Sequence, residues 1–419
     1  MDVKQPGKNL APPHTSIARE PSPPSHCPSG AQHDPLLEFL TSKFTLILGS
    51  LLASASTLVA IENAIHRSMD FQWSAAHLLL LHRDPWSVYL SGDRQHEILL
   101  SQIPLYLHEL YLLLLPFGFL SFAKAKLPWA ICNVCFVSVL GWSVARLCEL
   151  GRSRTWLLFV LVLLSTPFRV TVGNGQNDAL ALMCVGLWAF VGAQEARGLL
   201  LGAAYEKYSL PPVLVVFLLL RRKWKMLFYS IIPPLVGFLF IDAWISTGWR
   251  TLALDPFRTE VHQTGGFVPG VADIMAVSEM LLRHISSRPA WLAMLPYGIA
   301  IVLACTIAAY FARNARSVDG RILLACLLVA SLVCFQHMIY DFLVLIFCLG
   351  VALKSQRSNT RNLVLALIAY FWYLERALGI WRFESNLPVI LANLLLLLLL
   401  IVATYQLQSS TKWSSRWDI

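Results

Sequence analysis

Apolar stretches long enough to cross a membrane recur along this chain, and short polar segments separate them. A lipid core of about 30 Å requires roughly 20 helical residues per crossing. Because backbone amides cannot stay unpaired in lipid, each long stretch is predicted to be a helix. The pattern therefore predicts an all-α polytopic membrane protein with about ten to twelve transmembrane helices, near residues 44–61, 105–122, 128–147, 155–170, 178–194, 198–220, 226–246, 291–312, 322–335, 339–353, 362–379 and 387–407.

The residues before the first apolar stretch have a different composition. Residues 1–42 are rich in Pro, Ser, His and charge and contain no apolar signal-peptide core, so they are predicted to form a disordered cytoplasmic tail. Basic residues precede the first helix, which places this tail inside. Residues 43–407 are then the transmembrane domain, and residues 408–419 are a second cytoplasmic tail.

Two longer polar segments are predicted to lie outside. Residues 63–103 mix charged residues and histidines with apolar positions, which is typical of one or two interfacial amphipathic helices. Residues 246–290 form the later external loop. Counting crossings from an inside N-terminus leaves the parity between residues 146 and 220 open, because Arg146, Arg152 and Arg154 fall outside, against the positive-inside rule. The same count puts four basic clusters inside, namely Lys124 with Lys126, residues 221–225, residues 313–321 and residues 354–361.

Composition supports lipid as the solvent of most of the chain. Apolar residues make up 57% of the sequence and charged residues only 14%, well below the roughly one-quarter charge of soluble domains. The net charge of +9 lies in short clusters between apolar stretches. That distribution is typical of cytoplasmic loops, so no nucleic-acid partner is predicted. No cluster of metal ligands is visible in the sequence, and neither a metal nor a cofactor is predicted.

Asp70 is the candidate catalytic residue. It follows the first predicted helix by about ten residues and lies beside Phe71 and Trp73. A carboxylate at the membrane boundary can accept a proton from a hydroxyl nucleophile, and partial burial would raise its pKa toward a useful range. Alternatively, Asp70 is a solvated loop acid or begins the following helix.

Two polar motifs supply candidate substrate contacts. Asp84, followed by Pro85 and Trp86, resembles a turn, and Tyr89 follows it near the interface. The segment 173–178 reads Gly-Asn-Gly-Gln-Asn-Asp and interrupts two apolar stretches, which makes Gln176 and Asn177 candidates. The alternatives are a helix-ending turn at Asp84 and a simple cap of the next helix at Asn177 or Asp178.

Lys207 is the candidate cation within the membrane domain. Ionisable residues there are costly and usually face a cavity or each other. Lys207 could meet a phosphate, or it could form a self-neutralising pair with Glu206, although adjacent helical residues point about 100° apart.

Later segments add further candidate donor-binding residues. Arg258 and His262 in the later loop could bind a phosphate or sugar hydroxyls, or could simply be solvated. His337, Tyr340 and Asp341 introduce polar side chains into a long apolar stretch and predict a break in it. Because His337 and Asp341 are four residues apart, a hydrogen bond between them on one helical face is the alternative.

The order of these motifs resembles glycosyltransferase family 87, the polyprenol-dependent mannosyltransferase-like proteins of the GT-C superfamily. The resemblance rests on five features spread over residues 44–400: Asp70 after the first helix, Asp84-Pro85-Trp86 with Tyr89, Gly175-Gln176-x-Asp, Lys207 with Pro211 before a basic loop, and Tyr340-Asp341-x-x-Val.

The resemblance implies a GT-C-type helical bundle with its active site on the non-cytoplasmic face, in a bacterial plasma (inner) membrane. It further implies a polyprenyl-phosphate sugar donor, a lipid or glycan acceptor, and an inverting, metal-independent hexose transfer with Asp70 as general base. In such a displacement one carboxylate takes the acceptor proton and cationic groups hold the departing phosphate. Candidates for that second role are Lys207, Arg258, His262 and His337.

Two other classes of function fit parts of the pattern. A transporter or lipid flippase would also contain buried charges and broken helices, but it usually places them at mid-membrane in paired repeats, and no internal repeat is visible. A non-catalytic membrane scaffold would not need polar groups that converge on one face.

Overall fold

The computed structural model describes residues 34–100, 102–246, 248–264, 272–282, 292, 294–374 and 387–410. The all-α polytopic fold is confirmed, because all regular elements in this part of the chain are helices. The first ten are α1 (Pro35–Leu40), α2 (Lys43–Arg67), α3 (Trp73–Leu80), α4 (Pro85–Leu90), α5 (His108–Gly118), α6 (Phe122–Leu147), α7 (Arg152–Leu164), α8 (Thr166–Asn174), α9 (Asp178–Phe190) and α10 (Gln194–Ala203).

The second half of the bundle has the same character. Its α-helices are α11 (Pro212–Leu220), α12 (Trp224–Ser230), α13 (Ile232–Ile245), α14 (Trp249–Thr264), α15 (Ile274–Leu282), α16 (Leu295–Asn314), α17 (Gly320–Cys334), α18 (Ile346–Lys354), α19 (Ser358–Ala369) and α20 (Leu387–Gln406). The 3₁₀ turns are Ala204–Glu206, Ile339–Leu345 and Leu407–Ser410, and Tyr370–Leu374 form a π-helical turn.

Long helices account for only some of the predicted crossings. Five spans in the described residues are long and apolar enough to cross a membrane: α2, α6, α12 with α13, α16 and α20. The pair α7 and α8 adds a sixth if its 57° bend lies within one crossing. The predicted crossing 198–220 is instead split into α10, a 3₁₀ turn and α11, because charged residues and Pro211 interrupt it.

The centre of the bundle is α17. All of its residues from Gly320 to Cys334 are buried, so the helix is surrounded by protein and needs no polar face. Helices at the periphery instead expose apolar side chains, as α2 does with Phe44, Leu51 and Leu58. Lipid is the solvent that such side chains match.

The buried face of α2 carries small residues, which let α7 and α8 approach closely. Its buried positions are Gly49, Ala53, Ser56, Ala60 and Ala64. A Cβ on Gly49 would lie 2.7 Å from Val160 Cγ1, and the Ser56 hydroxyl donates to the Leu163 backbone oxygen at 2.7 Å. Such close packing is typical of membrane helices. It fixes the end of α2, and therefore Asp70, relative to the end of α8.

One end of the bundle, called here the Glu149 end, gathers charged residues that flank several helices. Glu149 follows α6 and forms ion pairs with Arg321 at 2.8 Å and Lys354 at 3.8 Å. Arg154, at the start of α7, donates to the Leu353 backbone oxygen at 2.8 Å. The basic residues after α6 therefore lie at the same end as residues 354–361. The crossing count had put the two groups on opposite sides while leaving the parity between residues 146 and 220 open, and the structure places them at the same end.

The error arises at the predicted crossing 105–122. The structure places a shorter helix there, α5, and the Trp73 ring N–H donates to the backbone oxygens of Phe117, near its end, and of Leu120, just beyond it, at 3.1 and 3.0 Å. The Lys126 amine donates to the Ile65 backbone oxygen at 3.2 Å, so α6 begins beside the far end of α2. Lys124 and Lys126 consequently lie opposite the Glu149 end, although the count had grouped them with residues 354–361.

The predicted tails and loops also have different bounds. Asp34 caps α1 by accepting the Leu37 N–H at 3.0 Å and pairs with Arg361, so the predicted disordered tail is ordered from residue 34. Residues 1–33 and 411–419 lie outside the described residues, and the last 3₁₀ turn enters the predicted tail 408–419.

Both predicted external loops contain short helices. The first begins later than residue 63, because α2 continues to Arg67, and it contains α3 and α4. The later loop contains α14 and α15. The Trp244 ring N–H donates to the Leu79 backbone oxygen at 2.7 Å, which joins the end of α13 to α3.

Candidate active site

Asp70 lies three residues beyond the end of α2 and is held by the turn that follows α8. Its backbone N–H donates to the Asn174 backbone oxygen at 3.1 Å. Its Oδ2 accepts hydrogen bonds from the Asn174 side-chain amide and from Gln176 Nε2, the latter at 2.6 Å. Neither amide bonds Oδ1, so one carboxylate oxygen is fixed and the other is left for a further partner. The side chain is half-buried.

Glycine allows this turn to approach Asp70. Gly175 caps α8 with a φ of +77°, a conformation that other residues rarely adopt. A Cβ there would lie 2.7 Å from Phe71 Cβ. The Trp129 ring N–H donates to the Gly175 backbone oxygen at 2.9 Å, and the same ring stacks on Phe71 with centroids 5.4 Å apart. Aromatic packing therefore holds together the segment after α2 and the turn after α8.

The surroundings of Asp70 suit a general base. Burial raises the pKa of its carboxyl to about 6, although the nearby Lys207 charge and the two amide hydrogen bonds oppose that rise. Asp178 contributes a smaller rise. A carboxylate with this pKa is mostly ionised at neutral pH, yet it accepts a proton more readily than an ordinary aspartate.

Lys207 occupies the centre of a buried charged cluster. Its Nζ lies 2.9 Å from Asp178 Oδ1 and 3.3 Å from Asp341 Oδ1. The rings of Tyr340 and Tyr106 face the same ammonium at 4.8 and 5.9 Å from their centroids. Two carboxylates beside a buried amine favour its protonated form.

Glu206 does not neutralise Lys207. It accepts a hydrogen bond from Asn177 Nδ2 and is fully buried. Lys207 leaves the 3₁₀ turn with φ −107° and ψ 76°, so the two adjacent side chains diverge. The alternative of a self-neutralising pair is therefore wrong, and Asn177 supports Glu206 instead of facing Asp70.

A tyrosine links Asp70 to the Lys207 cluster. The Tyr106 hydroxyl donates to Gln176 Oε1 at 3.4 Å, and Gln176 in turn donates to Asp70. Sequence reasoning assigned no role to Tyr106, because nothing distinguishes a tyrosine in an apolar stretch. Asn174 and Asp178 were within the polar segment 173–178, so that motif already contained their signal.

The segment around His337 is not the helix that the alternative of a His337–Asp341 hydrogen bond requires. Met338 has φ −116° and ψ 174°, and a 3₁₀ turn begins only at Ile339. Asp341 Oδ2 accepts the Met338 N–H at 2.7 Å. His337 turns away from Asp341, and its Nδ1 lies 3.8 Å from Asp273 Oδ2. The alternative of an internal hydrogen bond is wrong, because the backbone is extended at this point, where a break in the apolar stretch was predicted.

The remaining candidates belong to α4 and α14. Asp84 accepts the backbone N–H groups of Trp86 and Ser87 at 3.0 and 3.2 Å, so it caps α4, and burial raises its pKa. Tyr89 lies half-buried on the same helix. Arg258 on α14 pairs with Asp255 at 3.2 Å, and its side chain is more than half exposed. The side chain of His262 lies outside the described residues.

The described residues contain no group of three or more His, Cys, Asp or Glu side chains arranged to hold a metal. The site is instead a set of hydrogen-bonding and charged groups near the end of α2. Asp70, Gln176, Lys207, Tyr340 and Asp341, which were predicted from separate segments, meet there.

Comparison with known proteins identifies the family. The family model for Glycosyltransferase family 87 matches residues 110–339, more than half of the chain. Neither the curated proteins nor the solved structures gave a match. The matched region contains Gln176, Lys207 and His337, and Asp70 lies before it. The resemblance is confirmed, and the transporter alternative loses its support: this chain belongs to glycosyltransferase family 87, which is consistent with the GT-C superfamily, and is an integral membrane glycosyltransferase.

Proposed function

We propose that this enzyme transfers a hexose, with mannose as the first candidate, from a polyprenyl-phosphate donor to a hydroxyl of a lipid or glycan acceptor. The transfer inverts the anomeric centre and uses no metal or other cofactor beyond the lipid-linked co-substrate. The observation that carries this proposal is Asp70, a half-buried carboxylate whose Oδ2 is held by two amides and whose pKa is raised to about 6.

Asp70 acts as the general base. The acceptor oxygen forms a bond to the anomeric carbon while Asp70 Oδ1 takes the hydroxyl proton. The bond between that carbon and the phosphate oxygen breaks, and polyprenyl phosphate leaves with the electron pair. The amides of Asn174 and Gln176 keep the carboxylate from rotating, which preserves the reactive geometry between turnovers.

The departing phosphate needs positive charge or hydrogen-bond donors. Lys207 is already flanked by Asp178 and Asp341, so much of its charge is compensated. We assign it mainly to keeping Asp70 ionised, an effect consistent with its influence on the Asp70 pKa. His337 is the better phosphate donor, because its Nε2 is buried without a hydrogen-bond partner among the described residues and its ring lies close enough to Lys207 to feel that charge. Arg258 and His262 on α14 are further candidates.

The orientation follows from the distribution of basic residues. Arg154, Arg321, Lys354 and Arg361 lie at the Glu149 end, opposite Asp70. Because cytoplasmic ends of membrane helices are enriched in lysine and arginine, the Glu149 end is proposed to face the cytoplasm. The active site then opens on the non-cytoplasmic face of a bacterial plasma (inner) membrane.

The decisive experiment supplies purified enzyme with polyprenyl-phosphate mannose, glucose and arabinose in turn, together with a panel of glycolipid acceptors. Transfer from the mannose donor is expected, and nuclear magnetic resonance of the product should show an anomeric configuration opposite to that of the donor. A product with retained configuration would overturn the mechanism with a single base. Transfer from a nucleotide sugar, with none from any lipid-linked donor, would overturn the donor class.

A further inference from the structure

Asp273 is a buried carboxylate that reaches the site from the later loop. It precedes α15 and accepts the Ala276 N–H at 2.7 Å, so it caps that helix. Its Oδ2 lies 3.8 Å from His337 Nδ1. Both side chains are almost completely buried. One carboxylate therefore connects the start of α15 with the ring of His337.

These contacts fix which ring nitrogen carries the proton. His337 Nδ1 faces two acceptors, Asp273 Oδ2 and the Phe335 backbone oxygen at 3.3 Å. Both favour a proton on Nδ1. The opposite nitrogen, Nε2, has no hydrogen-bond partner in the described part of the chain. A neutral ring would thus present Nε2 as an acceptor, whereas a protonated ring would present it as a donor.

We propose that Asp273 is a positioning residue, which orients His337 and supports its protonated form so that Nε2–H donates to the phosphate that leaves in the transfer reaction. This inference rests on the proposed function, because it assigns the role of one candidate in that mechanism. The same logic holds where a carboxylate orients a histidine in other sites: the ring becomes more basic and keeps one orientation.

The electrostatic surroundings make the carboxylate necessary. Burial lowers the pKa of His337, Asp273 and nearby backbone oxygens oppose that change, and the Lys207 charge lowers it further. Cys334 is another titratable group near Asp273. Without the Asp273 charge, the two unfavourable influences would remain and the neutral ring would dominate at a lower pH. The departing phosphate would then meet a lone pair instead of an N–H.

Asp273→Asn separates this role from a structural one. Asparagine keeps one side-chain oxygen that can still accept the Ala276 N–H and cap α15, so the thermal midpoint should stay near that of the parent enzyme. We expect kcat to fall about 10-fold or more, and the alkaline limb of the pH–rate profile to move to lower pH. In a His337→Gln background, Asp273→Asn should cause no further loss of kcat. A matched control is Asp319→Asn, because Asp319 also caps a helix, by accepting the Arg321 N–H at 2.8 Å, but lies at the Glu149 end.

A readout independent of transfer distinguishes failure of this inference from failure of the proposed function. In ¹⁵N-histidine-labelled enzyme, with the His337 signals assigned through His337→Gln, the neutral ring should carry its proton on Nδ1 and should titrate at lower pH in Asp273→Asn. A proton on Nε2, or an unchanged titration, would overturn the role of Asp273 even if sugar transfer is found. If the expected tautomer is found but no lipid-linked sugar is transferred, the Asp273–His337 contact stands as a structural fact. Its assignment to a leaving phosphate is then overturned.

Discussion

The two ends of the bundle use charged residues in different ways. At the Glu149 end, the pair of Glu149 with Lys354 is partly open to solvent, with side chains 50% and 30% exposed, although Arg321, the other partner of Glu149, is only 2% exposed. At the Asp70 end, Lys207 has a side chain only 10% exposed, and those of Asp178 and Asp341 are 1% exposed. Exposed ion pairs are weak, whereas buried ones are costly to form and costly to break.

The burial of the charged groups indicates which end of the bundle has the functional site. A surface pair at a loop fixes topology and tolerates change. A buried ammonium between two carboxylates, next to a third carboxylate whose Oδ2 is held by two amides, is expensive to maintain within a membrane domain and marks a functional site.

The membrane topology of the two ends gives the largest expected difference between them. Single cysteines introduced at Asp93 and at Arg357 should differ in an all-or-none manner: only the first should gain reaction with an impermeant thiol reagent added outside intact cells. The parent chain supplies the background, because it already has exposed thiols at Cys135 and Cys305. Outside labelling at Arg357 would reverse the proposed orientation.

Removal of the Asp70 charge should have the largest effect on catalysis. Asp70→Asn should lower kcat for sugar transfer by about 10²–10⁴-fold, because loss of a general base commonly has that effect. The change keeps the side chain's size, so expression and thermal stability should be close to those of the parent. Glu62→Gln is the matched control, since Glu62 is an exposed carboxylate on α2, the helix that precedes Asp70. Near-normal turnover in Asp70→Asn would remove this residue from the mechanism.

Variants of Lys207 and Lys354 compare how much a charged pair at each end contributes to the free energy of unfolding. Lys207→Met leaves Asp178 and Asp341 buried without their cation, so we expect a loss of about 3–5 kcal/mol in the free energy of unfolding. Lys354→Met breaks a partly exposed pair and should cost about 0–1 kcal/mol. Chemical denaturation in detergent micelles gives both values. Similar losses for the two variants would contradict the distinction between the ends.

The pH dependence offers the finest test of the Asp70 environment. Since a general base works in its ionised form, kcat should fall on the acid side through about pH 6, and at pH 5 only about one-tenth of Asp70 should be ionised. Lys207 lowers the Asp70 pKa, so any active Lys207 variant should move this limb to higher pH. A limb near pH 4 in the parent enzyme would mean that Asp70 is not the titrating base.

Much of the fold could be predicted, because membrane crossings are encoded in local apolar length. The break near His337 and the short helices of the first external loop were also visible as polar interruptions. The crossing at 105–122 misled the count, because the apolar segment before α6 is long enough to span lipid yet packs against α3 instead. Local hydrophobicity cannot distinguish lipid from a protein neighbour as the apolar surroundings.

The sequence by itself determined the class of this protein and the segments that form its site. The lengths of its apolar stretches required a helical membrane protein, and the order of its motifs indicated glycosyltransferase family 87, which the family match confirmed. Only the tertiary structure decided how the charges pair: Lys207 with Asp178 and Asp341, and His337 with Asp273. The physical reason is range. Whether a segment can cross the membrane depends on consecutive residues of the chain. Ion pairs and hydrogen bonds form over a few ångströms between residues that lie far apart in sequence, so only the fold shows which ones meet.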